Sequence, residues 1–492
     1  MKRLATVGAI VCLAAACGGE AARFEPFVDV PPEGTEGYPY GALDQLTLSL
    51  AHAGSDGELG AVTVVPGDAL TLPDVPRSDD LVVHLSGSLL GEEVAYGRTC
   101  AISLAPTAPV PSPHLFFSNI VTWSPSAAPA VPVRTTADAL PLADGGLLLV
   151  GGANVVERFD AIAGEFVGLA GALARRDGAT LSALPGDRAL VVGGRDASNE
   201  PVARLEVLAP GAGPAQQVQV QEGAPRLWEH AAATLPSGEV LVFGGNYVDG
   251  PGIPASVTTR AWKFTLGAGG VIADPAGSPS VGALARARAG HTATRIDDEI
   301  GIVLVAGGQD ATGMPVGSAE LYLPSGDVFE EVEGATMIVP RFSHQAVRLR
   351  GGFVLIVGGY TRATPGDAAV PVAEVEVYDP FRRQFRLAGT VEEISGLGWN
   401  DASVTALPDG RALIAGGRDA TGAVVPTTAV ADLRLLGETL ELRLLRTADL
   451  SAPRANHAAA ALCDGTVLVV GGTDDAGAPP SERYNPPSAF RR

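Results

Sequence analysis

The sequence predicts an all-β chain built from copies of one small antiparallel sheet. Three observations carry this. Short apolar runs ending in Gly-Gly recur seven times, among them "VLVFGG", "VLIVGG" and "VLVVGG". A tight turn precedes most of these runs, as in "LPSG" at 235, "LPDG" at 407 and "LCDG" at 462. No long stretch carries the 3.6-residue apolar period of an amphipathic helix, which a nucleotide-binding α/β fold would need.

The pairs are Gly151–Gly152, Gly193–Gly194, Gly244–Gly245, Gly307–Gly308, Gly358–Gly359, Gly416–Gly417 and Gly471–Gly472. Their spacing is 42, 51, 63, 51, 58 and 55 residues. A repeat of about 50 residues is the propeller range. Each unit has one grammar. A segment of period-two alternation comes first, such as "HAAATL" (230–235) or "HQAVRL" (344–349). The turn follows, because glycine accepts positive φ between two strands. The apolar run is then a strand buried on both faces. A third strand ends in an aromatic: "ERFD" (157–160), "AELY" (319–322), "EVEVYDP" (374–380), "SERYNP" (481–486). A fourth carries Phe166, Phe329 or Phe385. Four short antiparallel strands make one propeller blade.

With the doubled glycine, the spaced aromatics and the Asp-Gly hairpin in place, residues 114–492 resemble kelch repeats of the galactose-oxidase/kelch-like superfamily. The resemblance implies a seven-bladed kelch-type β-propeller. Paired glycines then mark where blades crowd toward the axis and side chains would clash. The last unit ends within a few residues of "SAFRR", so its fourth strand is short or missing. Residues 114–125 are the predicted closing strand, with Trp123 in the fourth-strand aromatic position; the alternative is that 486–491 closes the unit unaided.

The N-terminus, "MKRLATVGAIVCLAAACGGE", has a short basic start and an apolar stretch too short to span a bilayer as a helix. Residues 1–17 read as a signal peptide, and "LAAAC" resembles a bacterial lipoprotein box with Cys17 as the lipidated residue. The Gly after it lacks the Asp of an inner-membrane retention signal, so the expected location is the outer membrane, with secretion the alternative if "AAA" is an ordinary cleavage site. Residues 18–40 read as a flexible tether. Residues 41–110, with "LTLSLA", "AVTVV", "LVVHLSG" and "EVAYGRTCAISL", read as a small antiparallel β-sandwich resembling immunoglobulin-like modules. Of four cysteines, Cys100 and Cys463 remain after the leader. They are either two buried thiols or one disulfide clamping the sandwich to the last unit.

The chain carries a net charge of −21, which disfavours nucleic acid and anionic membrane surfaces as partners. Membrane contact is expected only through the N-terminal lipid. With 46% hydrophobic residues the chain is globular despite its Gly and Pro content.

Site candidates come from the repeat register. One first-strand position reads Ala137, Ala179, His230, His291, His344, Ala402 and His457. Four histidines in register point either to metal ligands or to strand-start packing. Blade separation favours packing, so no metal is expected. Arg134, Arg176, Arg288, Arg341 and Arg454 precede that position by three, and Glu157, Glu206, Glu320, Glu376, Asp432 and Glu482 recur on the third strands. A buried ion pair in each unit is the expectation. Asp196, Asp310, Asp419 and Asp474 follow the glycines, and "DATG" occurs twice. Asp folds such a loop by accepting its own backbone N–H groups; a carboxylate-lined mouth drawing Ca²⁺ is the alternative. The longest post-glycine loops are 246–260, 360–374 and 418–432, with Tyr247 and Tyr360 at the base of two. Binding residues ride on such loops.

Catalysis finds little support. Copper radical oxidases on related scaffolds need a Cys-linked Tyr, which neither Cys100 nor Cys463 is placed to supply. The expected function is non-catalytic binding of a surface protein or glycan. The alternative is a secreted oxidase or lyase acting on carbohydrate.

Overall fold

The computed structural model describes residues 11–488 except 17–18, 25, 54–56, 69, 76–77, 105–112, 130–136, 143–144, 154, 162–163, 170–175, 210–216, 251, 268–271, 273–280, 391–398, 437–438 and 474–478. Cys17, Arg134 and Asp474 therefore lie outside the described residues. Among those described, no α-helix occurs and the fold is all-β.

From residue 122 onward the described strands form seven small antiparallel sheets in step with the seven glycine pairs, and two minor sheets beside them, Arg226–Trp228 with Asn246–Val248 and Ser256–Val257, and Tyr360–Thr361 with Val370–Pro371. Sheet one holds Asp138–Pro141, Leu147–Val150, Glu157–Asp160 and Glu165–Gly168. Sheet two holds Asp177–Leu184, Arg188–Arg195, Arg204–Ala209 and Gln217–Glu222. Sheet three holds Ala231–Thr234, Val240–Phe243 and Ala261–Phe264. Sheet four holds Thr292–Arg295, Val303–Ala306, Ser318–Leu323 and Val328–Thr336. Sheet five holds Gln345–Arg348, Val354–Val357, Glu374–Asp379 and Gln384–Thr390. Sheet six holds Ser403–Ala406, Ala412–Ala415, Thr428–Leu436 and Thr439–Arg446. Sheet seven holds Ala458–Ala461, Val467–Val470 and Glu482–Asn485, and its outer strand is Thr122–Pro125 from far upstream. The first strands touch in cyclic order, the seventh meeting the first. This arrangement is consistent with a β-propeller.

The core explains why the second strands are continuous apolar runs. Leu147–Val150, Val240–Phe243, Val303–Ala306, Val354–Val357, Ala412–Ala415 and Val467–Val470 are buried throughout. Each hydrophobic cluster spans two neighbouring sheets, so one face of a strand packs backward and the other forward. Third- and fourth-strand aromatics meet within a sheet, as in Phe159–Phe166 at 5.1 Å, Tyr322–Phe329 at 5.2 Å and Tyr378–Phe385 at 5.3 Å between centroids. Trp123 meets Tyr484 at 5.2 Å in the same way, and Trp123 pairs with Tyr484 across the strands.

The doubled glycines sit where sheets approach. A Cβ on Gly358 would lie 2.2 Å from the Trp399 carbonyl oxygen of the next sheet. A Cβ on Gly359 would lie 2.8 Å from His344 Cβ of its own first strand. One glycine thus admits the neighbouring sheet and the other its own first strand, both at positive φ.

The N-terminal region centres on a five-stranded sheet in which Gln45–His52 lies between Glu58–Val64 and Leu81–Leu89, followed by Glu92–Arg98 and Ser118–Asn119. Its core includes Leu48, Leu50, Val83, Leu85, Leu115 and Phe117. Val11–Ala16 pairs with Gly19–Phe24 and with Thr71–Val75. Within residues 18–40, expected as a tether, Gly19–Phe24 and Phe27–Asp29 are strands. Phe27–Asp29 pairs in parallel with His114–Phe116, because Val28 and Val30 pack against that core. Cys100 and Cys463 are disulfide-bonded, with Cα atoms 5.1 Å apart. Arg98 donates to the Cys463 carbonyl at 2.8 Å, and Asn485 Nδ2 donates to the Tyr96 and Ser118 carbonyls at 2.9 and 2.7 Å.

Candidate functional site

Within the ring of first strands lies a cavity of about 410 Å³. Its wall comes from the starts of the first strands and from Val150–Gly151, the end of a second strand. The post-glycine loops leave the sheets at this same end. The 1–2 hairpin carrying Cys463, which holds the N-terminal module, is at the other.

The mouth is framed by backbone. Gly178, Glu229, Gly290, Ser343, Asp401 and Asn456 all have positive φ, one residue before the register position occupied by His or Ala. Several donate N–H to the equivalent carbonyl of the preceding sheet: Gly290 to Glu229 and Ser343 to Gly290 at 2.8 Å each, Asn456 to Asp401 at 2.8 Å. This belt of hydrogen bonds fixes the spacing of the first strands.

The histidines are joints between sheets. The His230 ring meets the Thr180 hydroxyl through Nε2 at 2.9 Å, His344 the Thr292 hydroxyl at 2.9 Å, and His457 the Ser403 hydroxyl at 2.8 Å. In each case the partner hydroxyl lies one residue past the register position of the preceding sheet. Burial pushes the pKa of His230, His344 and His457 down to about 3, so these rings are neutral. His291 is also held well below the ordinary histidine range, first by burial and then by Arg288. Its opposite residue by register is Ala231, which has no hydroxyl. No group of three or more His, Cys, Asp or Glu among the described residues is arranged to hold a metal ion.

Arginine three residues before the histidine position does pair with a third-strand acid in four sheets. Arg176–Glu206 is 2.9 Å, Arg288–Glu320 2.7 Å, Arg341–Glu376 2.6 Å and Arg454–Glu482 3.2 Å, all buried. Each arginine also donates to the carbonyl of the first glycine of its pair, at 3.0 Å for Gly307 and 3.1 Å for Gly358. Sheet six departs from the pattern. Trp399 takes the arginine position and Asp432 instead meets Arg434 at 2.9 Å.

The loop aspartates are engaged by their own loops. Asp310 Oδ1 accepts from the backbone N–H groups of Thr312 (2.8 Å) and Met314 (3.0 Å) and from the Thr312 hydroxyl. Asp419 does the same with Thr421 and Ala423, and Asp196 with Ser198 and Glu200. This geometry answers why "DATG" is written twice. Tyr247 pairs in strand register with Leu227, stacks on Trp262 and lies under the Arg260 guanidinium at 4.6 Å. Its hydroxyl donates to Asp249 at 2.9 Å. Tyr360 bridges Phe342, and its hydroxyl reaches Asp401 at 3.5 Å. Asp401 lines the cavity and pairs with Arg418 at 3.2 Å. Tyr360 therefore stands at the cavity rim, and Tyr247 belongs to a separate loop platform.

No protein-family model matches the chain, and no curated protein matches it. Solved structures do match. One, described as the structure of YjhT, is 13% identical, covering 64% of this chain and 99% of that one, with a TM-score of 0.46.

Among the cavity residues not singled out from the sequence, Asp138 stands apart. The Asp138 side chain lines the cavity and makes no hydrogen bond or ion pair among the described residues, while its backbone pairs with Val150. The side chain is exposed to the cavity, yet the protein around it raises its pKa to about 6 by desolvation. The signal available in the sequence was its register: it follows Ala137 as Thr180 follows Ala179.

Proposed function

We propose that the chain is a lipid-anchored envelope protein whose ring is a seven-bladed kelch-type β-propeller, joined to a small N-terminal β-sandwich and acting as a non-catalytic binding module. The observation that carries this reading is the cyclic packing of seven first strands around a cavity, with long loops rising at the same end. Strand Thr122–Pro125 on the edge of Glu482–Asn485 supports closure of the ring by the N-terminal segment. A ring held by buried ion pairs and interblade histidines is a rigid base, and loops on a rigid base make a recognition face. The neutral, hydrogen-bonded imidazoles favour a scaffold role over acid–base chemistry. The ligand class is a surface protein or a glycan met by loops 246–260, 360–374 and 418–432, with Tyr247 and Tyr360 at the base of two.

The test uses the full chain carrying Cys17→Ser, so that no lipid is attached. Glycan arrays and pull-downs from envelope proteins are compared with a variant in which the three loops are shortened. Enrichment that the loop variant loses supports the reading; equal signal from both overturns it. Membrane fractionation of wild type against Cys17→Ser tests the anchor, which is refuted if both fractionate alike.

A further inference from the structure

The histidine joints give the ring a rule, and the rule has gaps. Where a sheet carries His at the register position, the ring reaches back to the next residue of the preceding sheet, as His230 does to Thr180 and His344 to Thr292. By the same register Asp138 of sheet one stands opposite position 179 of sheet two. That position holds Ala179, so the slot an imidazole would fill is open. The adjoining slot is open as well, with Ala137 opposite Ala458. Ala137, Asp138, Ala179 and Thr180 all line the cavity.

We propose that this cavity binds a small organic cation, whose protonated nitrogen occupies the place of the missing imidazole and pairs with Asp138. Each of the other charged cavity groups is already satisfied or neutral. Arg176 is paired with Glu206 and Asp401 with Arg418. His291, His344 and His457 are held neutral by burial. Asp138 is the carboxylate whose side chain has no partner among the described residues; it is exposed to the cavity, and the protein around it raises its pKa to about 6. A cation supplies the missing counter-charge, and a charge-assisted hydrogen bond is stronger than a neutral one. The cavity volume fits a ligand of monosaccharide size or smaller. A chain of net charge −21 draws cations toward it.

This inference concerns the cavity wall and is independent of the loop-face reading, since shortening the loops leaves Asp138 and Ala179 in place. The experiment is isothermal titration of the full chain carrying Cys17→Ser at pH 7.5. The probes are glucosamine and methylguanidine, with N-acetylglucosamine as the uncharged control. The expected result is saturable binding of at least one cation and none of the control. Asp138→Asn weakens that binding about ten- to a hundredfold. Ala179→His fills the slot, abolishes cation binding and raises the unfolding midpoint. Affinity also falls as pH drops below about 6, because a protonated Asp138 cannot pair. Absence of binding by both cations, equal binding of N-acetylglucosamine, or unchanged affinity in Asp138→Asn overturns the proposal. Asp138→Asn decides alone if Ala179→His does not fold.

Discussion

Replacing Arg341 by Met should cost about 4 kcal/mol of folding stability, and the reason is geometric. Arg341 and Glu376 side chains are 0% exposed and 2.6 Å apart. Arg341 also donates to the Val339, Gly358 and Glu374 carbonyls at 3.1, 3.1 and 2.8 Å. Glu376 accepts from the backbone N–H groups of Ile338 and Val339 at 2.8 and 3.0 Å. Removing the guanidinium leaves a buried carboxylate with no counter-charge, a change worth about 3–5 kcal/mol. The orphaned carbonyls add to this at about 1 kcal/mol each or more, less whatever water enters. Glu376→Leu should cost a similar amount for the mirror reason. The double variant removes both charges, so it should be less destabilised than the sum by about 2 kcal/mol. Equilibrium urea unfolding followed by tryptophan fluorescence measures all three, and Trp399 lies in the core cluster shared with sheet five. A loss under about 1 kcal/mol in Arg341→Met, or strict additivity in the double variant, would refute the reasoning.

Three further outcomes are expected. Cys100→Ser with Cys463→Ser removes a crosslink across 363 residues, whose loss chain entropy puts at about 6 kcal/mol; a denaturation midpoint insensitive to both the substitutions and reductant would contradict this. Gly358→Ala drives a methyl into the Trp399 carbonyl and should lower stability by more than about 2 kcal/mol, whereas Gly366→Ala, with open space around it, should cost about 1 kcal/mol; the order is read from paired melts. His230, His344 and His457 have folded pKa values near 3, below the ordinary value of about 6.5, so the unfolded chain binds more protons between these limits. Their stabilisation is present above about pH 6.5 and is lost as pH falls toward 3, Asp138 opposing by up to one proton between about pH 4 and 6; His344→Asn should flatten the stability–pH slope by up to about 1.4 kcal/mol per unit, and an unchanged slope would count against a buried neutral ring.

Much of the strand pattern was legible in the sequence because burial on both faces writes continuous apolar runs. "VLIVGG" and "VLVVGG" coincide with Val354–Val357 and Val467–Val470. Loop self-folding was legible in "DATG", since an Asp side chain acts on its own backbone within four residues. The cavity was not legible. Asp138 sits in a weakly patterned strand, "DALP", and its isolation comes from Ala179 forty-one residues on. Such gaps appear only when the sheets are laid in cyclic register and neighbours that share no sequence proximity are compared. The packing of Phe27–Asp29 was hidden for a similar reason, since its partner His114–Phe116 is distant and the intervening composition is Gly- and Pro-rich.

Thr122–Pro125 on the edge of Glu482–Asn485 has a consequence for biogenesis. The seventh sheet cannot be completed until a strand made early meets one made much later in the chain, so contact order is high and docking of the two is slow. Until then Glu482–Asn485 would present a bare hydrogen-bonding edge, open to pairing with another chain. A polypeptide stopped short of residue 482 would instead leave Thr122–Pro125 without its mate, its own edge unpaired.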